Sequence, residues 1–430
     1  MSHRSKLFYG WWVVLTAAVG LCLGAGPLTV FAFGVFFAPL THDFLAGRAA
    51  VSFAFTLHNL TSSFSAPLVG RLMDRFGARR VILPLTTAFG LILLSGRALA
   101  GSIFYFYLFY AALGVVSPGT SPVAYGLVVS RWFDRRRGLA LGLVMLGVGV
   151  GAIIIPPAAQ RLIAAFGWRS AYALLGCAVL LIALPVVGIF LREDPAQLGL
   201  TPDGGEQPAE HLQVEPGSEG LSWHEIRHTP SFWLMLFIFF LVGASVHACV
   251  IHMPALLSDR GMGAGDAALG SSVVGAALLT GRCGTGYLLD RFFAPRVAIV
   301  LFLGAAAGMA LLWLGGAGAV ALVAAFLVGL GMGAEADIIA YLISRYFGLR
   351  AFGTAYGFGF GTFTLAGAVG AFLMGAGYDV THSYGTPLAG FCTALLLAAA
   401  LLTRLGPYRY AVLRAGWRQP AVRDRAGSPA

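Results

Sequence analysis

The sequence predicts an all-α membrane protein, with twelve transmembrane helices arranged as two pseudo-symmetric six-helix bundles. Three observations carry this. Of the 430 residues, 58% are hydrophobic and only 11% charged, and the mean hydropathy is +0.82. An ordinary soluble domain holds about 25% charged residues, so this chain cannot cover its apolar surface with polar side chains. Twelve apolar runs approach or exceed the roughly 20 residues that a helix needs to cross the hydrocarbon core. Motifs in the first six runs return in the last six at offsets of 214 and 216 residues. The composition excludes a soluble globular enzyme, a disordered chain, a disulfide scaffold and a collagen-like fibre.

The runs lie near 9–38, 51–73, 80–100, 103–130, 138–160 and 170–191, then 231–257, 267–289, 296–316, 319–344, 352–377 and 385–404. The first begins at Phe8 and continues to about Leu40, too long for the apolar core of a cleaved signal peptide. Residues 192–230 interrupt the series with eight acids and two arginines, Arg192 and Arg227. The expected division is therefore a bundle over 1–191, a linker over 192–230, a bundle over 231–404 and a basic tail over 405–430. Within the linker, LSWHEIRHTP (221–230) reads as a short amphipathic helix on the membrane surface. From Arg404 onward the chain has six arginines against Asp424, a composition suited to anionic lipid or disorder.

Basic residues fix the orientation. An even number of spans puts both termini on one side, and that side holds 22 of the 28 basic residues. The other side holds Arg48, Arg97, Arg161, Arg169 and Arg260. Both termini are expected in the cytoplasm. The net charge of +10 is scattered in these loops and forms no basic face of the kind that binds nucleic acid. Five cysteines (Cys22, Cys177, Cys249, Cys283 and Cys392) stand singly, without a C-x-x-C pair or zinc spacing. Lysine occurs once, at Lys6, against 27 arginines, which suggests a GC-rich bacterial genome.

The repeat is readable in two places. APLVGRLMDR (66–75) resembles RCGTGYLLDR (282–291), aligning Gly70 and Asp74 with Gly286 and Asp290. SRWF (130–133) resembles SRYF (344–347). The loop after the second run, Gly70-Arg71-Leu72-Met73-Asp74-Arg75-Phe76-Gly77-Ala78-Arg79-Arg80, resembles the signature G-x-L-x-D-R-x-G-x-R-R of the major facilitator superfamily. This resemblance implies the major facilitator fold, with a substrate site near the midplane between its halves. It also implies an inner gate in which Asp74 pairs with Arg75, Arg79 and Arg80, while Asp290 and Arg291 serve the second half.

Further motifs resemble the monocarboxylate transporter and oxalate–formate antiporter group. They are Phe8-Tyr9-Gly10-Trp11-Trp12-Val13-Val14, Arg131-Trp132-Phe133 with Arg135-Arg136-Arg137-Gly138, the fifth-run glycines with Pro156 and Pro157, and Gly167-Trp168-Arg169. Drug–proton antiporters differ: their fourth-helix arginine position is Tyr110 here, and Gly147-x-x-x-Gly151 is followed by Ala152.

Three charges fall well inside apolar runs: Arg282 in the eighth, and Glu335 and Asp337 in the tenth. A charge at mid-bilayer costs at least about 2.5–3.5 kcal/mol, so such residues face the protein interior and usually act on substrate or protons. A guanidinium can hold a carboxylate by two parallel hydrogen bonds. The resembled group places a substrate-binding arginine in this helix before G-x-L-x-D, which matches Arg282 ahead of Gly286 and Asp290. The group's aspartate one turn earlier is Leu278 here, and its lysines in the first or eleventh helix are missing. A single cationic site points to a monoanion. Glu335 and Asp337 lie about 200° apart on the helix, so one face cannot present both. Tyr341 and Ser344 favour Asp337 for the cavity; the repeat, which aligns Glu335 with Ser121, favours Glu335, and it is preferred because a repeat tests geometry whereas a polar face also suits a helix–helix contact. Either acid is a candidate for proton coupling. A substrate anion that captures Arg282 removes the guanidinium's hold on a buried carboxylate, which then takes up a proton.

Polar residues in other runs extend the candidate substrate site: His58 and Asn59, Ser121 and Tyr125, His252, and Tyr356. Each also suits an ordinary helix–helix hydrogen bond. No nucleophile–base arrangement, H-E-x-x-H or phosphate loop is present in the sequence, so no enzyme activity and no cofactor are expected. The expected function is secondary transport of a small organic anion by a monomer in the bacterial inner membrane: proton-coupled monocarboxylate symport, or anion exchange of the oxalate–formate type. A non-transporting sensor is a distant third.

Overall fold

The computed structural model describes residues 8–45, 48–99, 101–204, 220–262 and 264–410. The basic tail beyond residue 410 and the middle of the linker lie outside these. Among the described residues, helices form twelve spans. Span one is α1 (Tyr9–Cys22), a π-helical turn at Gly26–Phe31 and α2 (Phe33–Asp43). Spans two and three are α3 (Arg48–Phe76) and α4 (Ala78–Ser95). Span four is α5 (Ile103–Val116) and α6 (Pro122–Trp132), joined by the turn Ser117–Thr120. Spans five and six are α7 (Arg137–Ala178), broken at Gly167, and α8 (Leu184–Phe190). The linker contains α9 (Trp223–Arg227). The second half is α10 (Pro230–Asp259), α11 (Ala264–Arg291), α12 (Ala294–Trp313), α13 (Gly318–Phe347), α14 (Phe352–Thr381) and α15 (Gly385–Leu402).

Two reversals depend on glycine. Gly77 (φ 90°) turns α3 into α4, and Gly167 (φ 76°) turns span five into span six; this left-handed backbone favours a residue without Cβ. Nine helical stretches among the described residues are long and apolar enough to cross a membrane, and one, Arg137–Phe190, holds two spans. The two spans that fall short are α3 and α11, which carry charged and small polar residues. Both line the seam between the halves. There α3 lies along α14 and α11 along α7, backbone to backbone. A Cβ on Gly353 would lie 2.6 Å from the Gly70 carbonyl oxygen, and one on Gly138 would lie 2.5 Å from that of Gly286. Small residues permit this approach. It runs from the face that bears the linker (the linker face) up to Gly361 against Ser63, and to Gly142 against the Arg282 carbonyl.

The linker docks on both halves. Glu193 accepts from the Ala78 N–H (3.0 Å) at the start of α4 and pairs with Arg131 (2.6 Å). Asp203 accepts from the N–H groups of Asp134 (3.0 Å) and Arg135 (2.7 Å). On the other half, Leu221 N–H donates to Phe347 (2.8 Å). The expected surface helix is shorter than 221–230, and its apolar side meets protein: Trp223 stacks on Phe358 at 4.7 Å and Ile226 is buried. A capping box of Ser222 and Glu225 starts it. The Ser222 hydroxyl and N–H hold the Glu225 carboxyl below the usual carboxylate range.

Candidate functional site

Two clasps close the linker face. Asp74, at the end of α3, accepts from the Gly353 N–H (2.7 Å), the Thr354 N–H (2.7 Å) and the Thr354 hydroxyl (2.6 Å). Asp290, at the end of α11, accepts from the Gly138 N–H (2.7 Å) and the Leu139 N–H (2.9 Å). Each carboxylate thus crosses the seam onto the first turn of a helix, α14 or α7. Free N–H groups and the helix dipole favour a negative charge there. The repeat holds in space: the acids differ by 216 in number and their backbone partners by 215.

This corrects the expected gate chemistry, in which Asp74 pairs with arginines of its own loop. Arg75 lies over the Phe76 ring at 5.1 Å, Arg79 donates to the Gly188 carbonyl and Arg80 is exposed. Arg291 lies over the Tyr287 ring at 4.1 Å. Backbone donors at a helix start are already oriented, whereas long arginine side chains must be immobilised to pair. The linker face also holds an ion pair across the seam that sequence reasoning missed. Arg345 donates to the Asp134 carboxylate (2.7 Å) and carbonyl (2.6 Å) across the seam. The SRYF repeat marks Arg345, but nothing local marks its partner.

The central site lies above these clasps. Arg282 is nine residues from the end of α11, about 13 Å from the linker face at 1.5 Å per residue. It is buried, and among the described residues its Nε and Nη1 have no hydrogen-bond partner. Asp337 on α13 is buried, its Oδ2 likewise without a partner among the described residues. The two charges interact electrostatically, yet among the described residues no carboxylate forms a direct ion pair with Arg282. Tyr356 on α14 is within electrostatic reach of both. Its hydroxyl makes a long 3.5 Å contact to the Ala336 carbonyl. Asp337, Ala340 and Tyr356 face Pro122, Gly126, Leu141, Val144 and Met145 of the first half across a narrow crevice. One cation, one acid and one phenol therefore meet at the seam, against an apolar wall.

Glu335 faces the other way. Fully buried, with both carboxyl oxygens unpartnered among the described residues, it points into the second bundle. A Cβ on Gly243 of α10 would lie 3.0 Å from its Oε1. Alignment with Ser121 misleads here because span four breaks at Ser117–Thr120, making Ser121 the cap of a new helix, whereas α13 runs unbroken through Glu335.

The seven residues expected to bind substrate separate into two groups. The structure brings Arg282 and Tyr356 together and commits the rest elsewhere. His58 Nε2 lies 2.8 Å from the Ser117 hydroxyl and 3.1 Å from that of Thr29. Both hydroxyls donate to carbonyls, those of Leu113 and Ala25, so Nε2 carries the proton that they share. This cluster lies inside the first half, with Asn59 half-buried next to it. Ser121 caps α6 by accepting from the Val123 N–H (3.3 Å) and donates to the Pro118 carbonyl (2.9 Å). Tyr125 is fully buried against Gly20 of α1. His252 contacts the Ala371 carbonyl (3.1 Å) and the Tyr384 hydroxyl (3.4 Å) inside the second half. In a bundle immersed in lipid, polar side chains satisfy one another between neighbouring helices.

Comparison with known proteins agrees with this architecture. The family model of the Major Facilitator Superfamily matches residues 19–371. Mouse monocarboxylate transporter 11 is 27% identical over 409 residues, covering 91% of this chain and 87% of the relative. The oxalate:formate antiporter of Oxalobacter formigenes is 25% identical over 301 residues, covering 68% and 66%. Among solved structures, the proton:xylose symporter XylE superposes with a TM-score of 0.72 at 16% identity, covering 93% of this chain and 96% of that one. FucP in its outward conformation gives 0.64 at 17% identity, covering 91% and 98%. The chain belongs to the Major Facilitator Superfamily and is a multi-pass membrane transporter with that family's twelve-helix fold.

Proposed function

We propose that this transporter carries a small organic monoanion, foremost a monocarboxylate, together with a proton across the bacterial inner membrane, with the linker face cytoplasmic. The observation that carries the reading is Arg282, a buried guanidinium at the seam with two donor nitrogens unpartnered. Buried charges are costly unless paired and hydrogen-bonded, and a carboxylate ligand supplies both. The names of the relatives, monocarboxylate transporters and an oxalate:formate antiporter, support an organic anion. Asp337 is the coupling acid in this reading. A bound anion takes over Arg282, Asp337 loses its electrostatic partner, and in that apolar crevice it holds a proton. Anion and proton then cross together as the halves rock.

The test uses purified protein in liposomes with labelled small carboxylates and an imposed pH gradient, acid outside. Gradient-driven uptake is expected. The Asp337→Asn variant is expected to retain exchange of labelled for unlabelled anion but to lose gradient-driven accumulation, a drop of at least about tenfold. The Glu335→Gln variant, altered on the side away from Arg282, should stay within about twofold of the parent. If uptake occurs only when the lumen is preloaded with anion, the protein is an exchanger.

A further inference from the structure

The internal repeat can be checked contact by contact at the linker face, and in one place its chemistry diverges. The Trp132 indole N–H donates to the Arg192 carbonyl (2.8 Å), and 214 residues on, the Tyr346 hydroxyl donates to the Gly406 carbonyl (2.6 Å). The Ala78 N–H, opening α4, donates to Glu193; the Ala294 N–H, opening α12, donates to the Tyr408 hydroxyl (2.6 Å). Tyr408 thus occupies the place of Glu193, with a neutral phenol where the first half has a carboxylate. Arg131 and Arg345 are likewise counterparts. Arg131 pairs with Glu193, where the linker leaves its own half, but Arg345 crosses to Asp134 on the other half. The counterpart of Asp134 is Gly348, so the repeat places no acid opposite Arg131 at that position.

We propose that Tyr408 sets the partner of Arg345 and so gives the linker-face gate one latch that the repeat does not duplicate. Arg345 is 2% exposed, and a buried guanidinium needs an acceptor. Its own half offers no free carboxylate among the described residues: Asp290, within electrostatic reach, is already held by the Gly138 and Leu139 N–H groups, and the other neighbours are the phenols of Tyr341, over whose ring the guanidinium lies at 5.2 Å, and of Tyr408, which packs on Tyr346 at 5.5 Å between ring centres. The guanidinium therefore reaches across the seam. Its acceptor is held ready: Asp203 of the linker fixes the Asp134 and Arg135 N–H groups, and Arg137 shares the Asp134 carboxylate (3.3 Å). The linker, Tyr408 and Arg345 together bias the protein toward closure on this face. Tyr408 is a positioning residue that acts through Arg345.

The test measures distances between spin labels at Arg80 and Arg296, exposed positions on opposite halves, in full-length protein without substrate. The outcome is therefore independent of the substrate reading. Tyr408→Glu restores the carboxylate and is expected to draw Arg345 back into its own half. The population open at the linker face should rise about threefold or more relative to the closed one. Asp134→Asn, which weakens the acceptor and leaves Tyr408 in place, should shift it the same way. Tyr408→Phe, which loses the α12 cap without adding charge, should not. In an Arg345→Gln background, Tyr408→Glu should add nothing further. Unchanged distances in Tyr408→Glu, or an equal shift with and without Arg345, overturns the proposal.

Discussion

Replacing Arg282 with lysine is expected to reduce carboxylate transport by about 10- to 100-fold while leaving the protein folded and in the membrane. The charge is retained, so insertion and the interaction with Asp337 persist. What is lost is the fork: Nε and Nη1 of Arg282 are buried without a partner among the described residues, and each forms a pair of parallel N–H donors with Nη2. An ammonium on a shorter stem meets a carboxylate as a point charge. Losing one hydrogen bond to a charged group costs about 1.5–3 kcal/mol, and 1.4 kcal/mol is a factor of ten. Arg282→Gln should be more severe, because it leaves Asp337 buried with no cation, a defect of about 3–5 kcal/mol. Initial uptake rates against substrate concentration check this. A Lys variant with kcat/KM near that of the parent, the loss being confined to Gln, would mean that charge alone, without the fork, is recognised.

Adding one methyl group at Gly353 or at Gly138 is expected to hold the transporter open on the linker face. A Cβ on Gly353 would lie 2.6 Å from the Gly70 carbonyl oxygen and 2.8 Å from Asp74 Oδ1. One on Gly138 would lie 2.5 Å from the Gly286 carbonyl oxygen and 2.9 Å from Asp290 Oδ1. These neighbours are backbone, or a carboxylate already fixed by backbone, so neither can move aside. Overpacking of this kind costs about 1–3 kcal/mol. It acts only on the closed state, where the helices meet. The ratio of open to closed should rise by about 5- to 100-fold, with transport falling accordingly. Gly304→Ala is the control, since a Cβ there meets nothing within 4 Å. Spin-label distances across the seam provide the measurement; unchanged distances would show that the backbone contact does not determine closure.

What could be read from the sequence divides along a physical line. Composition, run length and the recurrence of GRLMDR and SRWF are properties of the chain itself, and they suffice for twelve spans in two halves. Arg282 is legible for a similar reason, because a lone charge in an apolar run has few roles. The gate partners were out of reach. Asp74 binds main-chain N–H groups 279 and 280 positions away, and no side-chain pattern announces a backbone donor. The tenth span was ambiguous because a helical wheel separates Glu335 from Asp337 without saying which side meets the other half. His58, Tyr125 and His252 show the same limit. In sequence they resemble cavity residues, and only packing shows that they meet helices of their own bundle. Even α3 and α11 follow this logic: their weaker apolar character, a blemish in a hydropathy scan, marks the helices that face the seam.

The clasps at Asp74 and Asp290 have a consequence for how this gate tolerates change. Their donors are mainly peptide groups, which every residue but proline supplies. Drift at Leu139 therefore leaves its N–H in place, and drift at Thr354 costs only an added hydroxyl contact. The constraint falls instead on two acids, on the glycines that let the helices touch, and on the exclusion of proline from two helix starts. A seam held this way can keep its closed geometry while the side chains around it vary, because the contacts are made by the main chain.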